Sequence, residues 1–210
     1  MFTGIVQGSF PLFAVERKPG LYSLTLELPA NLLEGLAIGA SVAIDGVCLT
    51  VTALEPPKVF FDVMQQTLSL TTLGALNTGD EVNVERSAKQ GVEIGGHIIS
   101  GHVDGRVEVV GIERPENNCY ITYQVPAEKI KYIFPKGFIG LNGCSLTVAE
   151  VNKANNTFKV CYIPETLRVT THGIKPVGAL LNFEVDRQTQ AIVDTVENFL
   201  KSNPDMLLGR

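Results

Sequence analysis

A chain of 210 residues has room for one large domain or two of roughly 100 residues each. With 45% hydrophobic and 19% charged residues it can fill a packed core, which argues against disorder. The 17 Lys and Arg are outnumbered by 22 Asp and Glu, giving a net charge of −5; with no basic cluster, this argues against a nucleic-acid-binding surface.

The start, MFTGIVQG, has no basic region ahead of an apolar run and no small-residue cleavage site. LYSLTLELP then alternates, with Leu21, Ser23, Thr25 and Glu27 on one side and Tyr22, Leu24, Leu26 and Leu28 on the other, as a strand does. PANLLEGL reads as a short helix. GLAIGASVAI, bounded by Glu34 and Asp45, is too short to cross a bilayer. The expectation is a soluble, cytoplasmic protein without membrane contact. ASVAIDGVCLTVTAL is β-branched and broken by Asp45-Gly46, a strong hairpin signal. KVFFDVM and DEVNVER are further strands.

The second half repeats the first. Gly46 and Gly143 are 143 − 46 = 97 apart, and at that offset Leu49, Thr50 and Val51 meet Leu146, Thr147 and Val148. GIVQG (Gly4 to Gly8) falls on GHVDG (Gly101 to Gly105), and Pro29-Ala30 on Pro126-Ala127. PAEKIKYI therefore predicts a second short helix, and Asn142-Gly143 a second hairpin. Past NKANN the offset grows to 99, and TLSLTTLG falls on TLRVTTHG, VNVE on LNFE. Two copies are too few for a solenoid. Turn residues recur about every ten positions, which fits closed barrels or sandwiches. The expected fold is all-β: two similar antiparallel β-barrels, residues 1–97 and 98–188, with the boundary near Glu93 to Ile98.

Residues 189–210 have no echo. Ile192, Val193, Val196, Phe199 and Leu200 fall at helical spacing, opposite Asp194, Glu197, Asn198 and Lys201. Such a stripe is covered either by its own barrel or by the same helix of other subunits. Closed barrels favour the bundle.

Four cysteines, at 48, 119, 144 and 161, form no C-x-x-C and read as free thiols. Cys48 and Cys144 stand out because they lie in the echoing loops. GGHIISGH joins the copies. His97 and His102 are five apart, on opposite faces if the segment is a strand, so no shared metal is expected. Its glycines fit a tight linker or close approach of backbone to a ligand. His102 stands where the first copy has Ile5, which predicts different work for the two copies. CLTV and SLTV put Cys48 with Thr50, and Ser145 with Thr147, on one strand face. That pattern serves β-propensity or polar handles at a barrel mouth. No nucleophile elbow or phosphate loop is present. Pattern alone ends at a two-barrel protein binding a small, polar, planar ligand.

MFTGIVQG, DGVCLTV, GGHIISGHVDG, KGFIGLNGCSLTV and IPETLRVTT together closely resemble the riboflavin synthase family, over essentially the whole chain. The resemblance implies six-stranded Greek-key barrels, a homotrimer held by the C-terminal helix, and no metal or organic cofactor. It implies dismutation of two molecules of 6,7-dimethyl-8-ribityllumazine, with a four-carbon unit passing from one to the other. The products are riboflavin and 5-amino-6-ribitylaminouracil. In the family the site forms between the N-barrel of one subunit and the C-barrel of its neighbour. Some relatives also associate with lumazine synthase.

For substrate binding in the N-barrel, the resemblance points to Gly4, Ile5 and Val6, to Ser41, and to Cys48, Leu49 and Thr50. It adds Asp62, Val63 and Met64, followed by Gln65, Gln66 and Thr67. In the C-barrel it points to Gly101, His102 and Val103, to Lys136, and to Ser145, Leu146 and Thr147. It adds Cys161, Tyr162 and Ile163, followed by Pro164, Glu165 and Thr166. Backbone near Gly4 and Gly101 is expected to bond the pyrimidinedione edge. Thr50 and Thr147 are expected to hold ring or ribityl oxygens, and Asp62, Gln66, Lys136 and Glu165 the ribityl hydroxyls. For proton removal and nucleophilic addition the candidates are Cys48 and His102 first, then Ser145, with Asp186 as a supporting acid or base. Gln66 stands where the family often has Glu, and Asp45-Gly46 replaces a common Asn-Gly, an exchange expected to be harmless because both suit the same turn.

Two rivals are a non-catalytic lumazine-binding protein on the same double barrel and a scaffold acting through the C-terminal helix. Non-catalytic relatives lose parts of GGHxxSGH, SLTV and IPETL; all three phrases are intact here.

Overall fold

The computed structural model describes residues 1–89, 91, 93–116 and 118–204. Six strands form the first barrel: β1 (Gly8–Lys18), β2 (Leu21–Glu27), β3 (Ser41–Ile44), β4 (Val47–Glu55), β5 (Lys58–Met64) and β6 (Glu81–Arg86). They close in the order β1-β2-β5-β4-β3-β6, a Greek key. The second barrel repeats it with β7 (Gly105–Glu113), β8 (Cys119–Gln124), β9 (Phe138–Leu141), β10 (Cys144–Asn152), β11 (Thr157–Tyr162) and β12 (Leu180–Val185). All pairings are antiparallel. The bulges repeat in place: Leu12/Ala14 and Val51/Ala53 in the first barrel, Val109/Gly111 and Val148/Glu150 in the second. A bulge bends its strand sharply, and barrel closure needs such bends.

Each barrel is filled by its inward-facing residues. Leu24, Leu26, Ile44, Phe61 and Val84 are among those packing the first; Tyr123, Phe158, Tyr162 and Phe183 are among those packing the second. The helix expected at PANLLEGL is a single turn, α1 (Ala30–Leu33), but its counterpart is a 3-10 turn, Ile130–Tyr132. Two helices were not foreseen: α2 (Gln65–Leu70) and α3 (Pro164–Val169), each followed by a 3-10 turn. Leu68 of α2 and Leu167 of α3 turn towards the cores.

The C-terminal helix α4 runs Arg187–Ser202, two residues earlier than the apolar stripe implied, because Asp186 caps it. Asp186 Oδ1 accepts from the Thr189 amide at 2.8 Å and from its hydroxyl at 2.7 Å. Val193 touches the second barrel, and Asp194 and Glu197 meet Tyr132 and Lys131. Ile192, Val196 and Phe199 stay at least half exposed. Residues 205–210 of the expected 189–210 segment lie outside those described.

The barrels meet through the two echoing hairpins. Asp45 and Asn142 take left-handed φ values of 45° and 41° at the first turn position. Asn83 Nδ2 donates to the Asn142 carbonyl, and Asn182 Nδ2 to the Asp45 carbonyl, both at 2.9 Å. Asp45 is fully buried there. Replacing a neutral amide by a carboxyl is therefore not neutral at this position, although the turn itself accepts either.

Candidate functional site

The N-terminal arm and the inter-barrel segment follow one plan. Glu85 Oε1 accepts from the Thr3 amide and hydroxyl at 2.6 and 2.8 Å, and Oε2 from the Gly4 amide at 3.1 Å. Glu184 does the same for Ser100 and Gly101, at 2.8, 2.7 and 3.0 Å. Burial raises the pKa of Glu85, while the Thr3 and Gly4 donors pull it back. Phe2 and Ile99 pair across the two segments.

Each segment then crosses to the other barrel. The Ser145 amide donates to the Gly4 carbonyl at 2.8 Å, and the Cys48 amide to the Gly101 carbonyl at 2.9 Å. A Cβ on Gly4 would lie 2.4 Å from Ser145 Cβ, and one on Gly101 2.6 Å from Cys48 Cβ. Only glycine permits this approach, and both positions have left-handed φ. The structure thus groups the expected residues crosswise. Gly4, Ile5 and Val6 accompany Ser145 of the C-barrel. Gly101, His102 and Val103 accompany Cys48 of the N-barrel.

This geometry changes the part assigned to the glycines. The amides of Gly4 and Gly101 are committed to Glu85 and Glu184, and their carbonyls already accept a bond.

Cys48 and Thr50 lie on the outer face of β4, with Leu49 turned into the core; Ser145, Thr147 and Leu146 repeat this on β10. The polar handles stand on the barrel wall rather than in its mouth, because the core side chains fill the interior. Val6, Val63 and Tyr162 are also buried and can offer a ligand only backbone. Ser41, Thr67, Val103 and Thr166 are half-buried, while Asp62, Gln65, Gln66, Cys161 and Pro164 are exposed. Met64 and Ile163, equivalent in the two copies (163 − 64 = 99), are 68% and 62% exposed. Exposed apolar residues at equivalent places suit flat rings. Asp62 accepts from the Ser23 hydroxyl at 2.7 Å. Glu165 is held by Arg168 at 2.6 and 2.8 Å, which lowers its pKa and engages the carboxylate expected for a ribityl chain. Lys136 holds a left-handed φ of 65° where the first copy has Gly39 at 87°.

His97 belongs to the Ser145 cluster. Its amide donates to Ser145 Oγ at 3.1 Å, and its Nδ1 lies 2.6 Å from the same oxygen. The ring stacks on Phe138, with centroids 5.1 Å apart. Burial lowers its pKa while Asp186 opposes, so the imidazole is neutral at pH 7 and able to take a proton from Ser145. The motif GGHIISGH held the clue, but weighing His97 only as a metal ligand hid its serine partner. The segment is irregular rather than a strand, so the face argument does not apply to it. No group of three metal-ligating side chains forms among the described residues.

Of two large concavities, one, of about 710 Å³, opens on the first arm and is lined by Thr3, Ile5, Glu85, Arg86, Lys89 and Glu93; another, of about 770 Å³, lies away from both clusters around Glu150, Lys153 and Lys159. His102 is exposed, Cys48 and Ser145 are half-buried on the outer barrel wall, and His97 is buried.

The lumazine binding domain model matches twice, at residues 3–87 and 100–186. Riboflavin synthase of Escherichia coli (strain K12) is 50% identical over 208 residues, covering 99% of this chain and 97% of that one. Riboflavin synthase of Chlamydia pneumoniae is 42% identical over 203 residues, covering 97% and 98%. Among solved structures, LumP complexed with riboflavin superposes with a TM-score of 0.81 at 26% identity, covering 89% of this chain and all of that one. LumP complexed with 6,7-dimethyl-8-(1'-D-ribityl) lumazine gives 0.80 at 25%. The whole-length identity, the doubled domain and the two crosswise clusters agree: this chain belongs to the riboflavin synthase family.

Proposed function

We propose that this chain converts two molecules of 6,7-dimethyl-8-ribityllumazine into riboflavin and 5-amino-6-ribitylaminouracil by passing a four-carbon unit from donor to acceptor. The observation that carries the reading is the pair of equivalent clusters on the outer faces of the two barrels. One holds Cys48 and Thr50 with His102; the other holds Ser145 and Thr147 with Ile5 and His97. A reaction between two identical molecules calls for two similar half-sites. Each half-site lies on open barrel wall, so a second copy of the chain closes it, and the exposed stripe of α4 is the surface that assembles a homotrimer. Cytoplasmic location fits this role.

Within a closed pair, a base removes a proton from the C7 methyl of one lumazine, and a nucleophile or water adds at C7 of the other. His102 is our choice of base and Cys48 of nucleophile in the first cluster. In the second, His97 activates Ser145. Asp186 caps α4 through Oδ1 and lies close enough to His97 to act on it by its charge, which suits a supporting acid or base. Stacking two rings in reactive register supplies most of the acceleration, because a bimolecular step becomes effectively unimolecular.

The test is direct: purified protein mixed with the lumazine should develop riboflavin absorbance without added cofactor. Ligand binding without turnover would support the non-catalytic relative instead.

A further inference from the structure

Among the described residues, the second arm carries cationic partners that the first lacks. In the first arm the Ile5 amide donates to Thr3 Oγ1 at 3.2 Å, and Gln7 Oε1 accepts from the Arg86 amide at 2.7 Å. In the second, the His102 amide donates to Ser100 Oγ at 3.1 Å, and Asp104 Oδ2 accepts from the Val185 amide at 3.0 Å. So far the arms match. The second then adds Arg187, whose place in the first copy is taken by Ala88 (187 − 99 = 88). The Arg187 guanidinium donates to the His102 carbonyl. It also pairs with Asp104 at 3.2 Å and with Gln190 at 2.7 Å, and lies 3.7 Å from Glu184.

Arg187 opens α4, where the helix dipole disfavours a cation and no acidic residue of the first turn offsets it. Of its partners, the His102 carbonyl, Asp104 and Glu184 belong to the arm or hold it, and Gln190 lies on α4 itself. Asp104, with a side chain only 6% exposed, is shared with Lys129 at 2.9 Å. A planar, multidentate donor suits a carbonyl and a carboxylate at once, which an ammonium point charge does not. The neighbours of His102 are pinned by Glu184 on one side and by Asp104 on the other, and Arg187 closes the frame between them.

We propose that Arg187 is a positioning residue: it fixes the backbone of His102, and so the imidazole, one residue beyond the contact between Gly101 and Cys48. The first arm has no such clamp because Ile5 carries no proton. The inference rests on our reading of His102 as a base. It also ties the N-terminus of α4 to the half-site on the N-barrel.

Arg187→Ala should lower kcat for riboflavin formation about tenfold while lumazine affinity, by fluorescence titration, stays within about twofold. Thermal midpoint and oligomeric state should not change. Arg187→Lys should recover part of the lost rate, and it also serves if the alanine variant folds poorly. Gln190→Ala removes only the helix-side partner and should keep the wild-type rate. Arg187→Ala with at least half the wild-type kcat, beside an impaired His102→Gln, would overturn the clamp and leave the base in place. Full activity in His102→Gln would instead overturn the reading of the base. Equal losses of rate and thermal midpoint in Arg187→Ala and Gln190→Ala would reduce Arg187 to a structural role.

Discussion

Gly46 and Gly143 stand back to back where the barrels touch: a Cβ on Gly46 would fall 2.5 Å from the Gly143 amide nitrogen. This contact gives the duplicated hairpin its meaning, since each copy of the phrase packs on the other. Gly46→Ala combines a left-handed φ of +78° with a backbone clash, and should destabilise the chain by roughly 2–4 kcal/mol. Gly79→Ala, at φ +91° with nothing within 4 Å, should cost only about 1 kcal/mol. Chemical denaturation of both variants checks the difference.

Asp45 brings a carboxyl into the same interface. Oδ1 accepts from the Asn83 amide at 2.9 Å, while Oδ2 finds no partner among the described residues. Burial pushes its pKa from 3.8 up to about 6, against the pull of the Asn83 amide and Lys175. Because the folded value is the higher one, stability from this group is complete below about pH 4 and falls as pH rises through 6. Asp45→Asn should therefore gain roughly 2–3 kcal/mol at pH 7 and nothing at pH 4, read as thermal midpoint against pH.

His172 tilts the balance the other way. It sits in a buried chain unique to the second barrel: Tyr123 Oη and Tyr162 Oη are 2.6 Å apart, Tyr162 Oη is 3.3 Å from His172 Nδ1, and His172 Nε2 is 3.2 Å from the Leu141 carbonyl. The carbonyl can only accept, so Nε2 carries the proton and Tyr162 donates to Nδ1. Burial holds the His172 pKa at about 4, below the usual 6.5. Its contribution is complete above about 6.5 and is lost as pH falls towards 4. His172→Leu should cost about 1–2 kcal/mol at pH 7, because the Tyr162 hydroxyl and Leu141 carbonyl lose their partner. The same variant should be less sensitive to acid, as a midpoint series from pH 4 to 7 would record.

Lys136 holds a left-handed backbone that its counterpart fills with glycine. Lys136→Gly should gain up to about 1 kcal/mol by relieving that conformation. It should also weaken lumazine binding to the C-barrel if the ammonium holds the ribityl chain. A denaturation curve and a fluorescence titration on one preparation decide both.

Much of this was legible in the chain. Alternating strands, Asp45-Gly46 and Asn142-Gly143 turns, and a constant offset mark a duplicated β fold, because strand period and turn chemistry are local. The crosswise arms are not, since nothing near Gly4 reveals that its carbonyl meets Ser145, 141 positions away (145 − 4 = 141). α2 and α3 escaped notice because each is under two turns and its apolar residues have too few repeats to show a period. The pairing of His97 with Ser145, and Asp45's burial, are likewise tertiary events. Asp186 drew attention as an acid or base, yet the Thr189 spacing of a helix cap was available in the sequence.

The central claim is that half-sites from two chains make one reaction centre, and co-expressed variants test it most directly. One parent carries Cys48→Ala and His102→Gln, the other Ser145→Ala and His97→Gln, so that each alone is inactive. Randomly mixed assemblies of the proposed trimer should regain ~25% of wild-type turnover, since one neighbouring pair in four joins two intact halves. Mixed assemblies no more active than either parent would contradict the account, because a centre built within one chain would then be disabled in every copy.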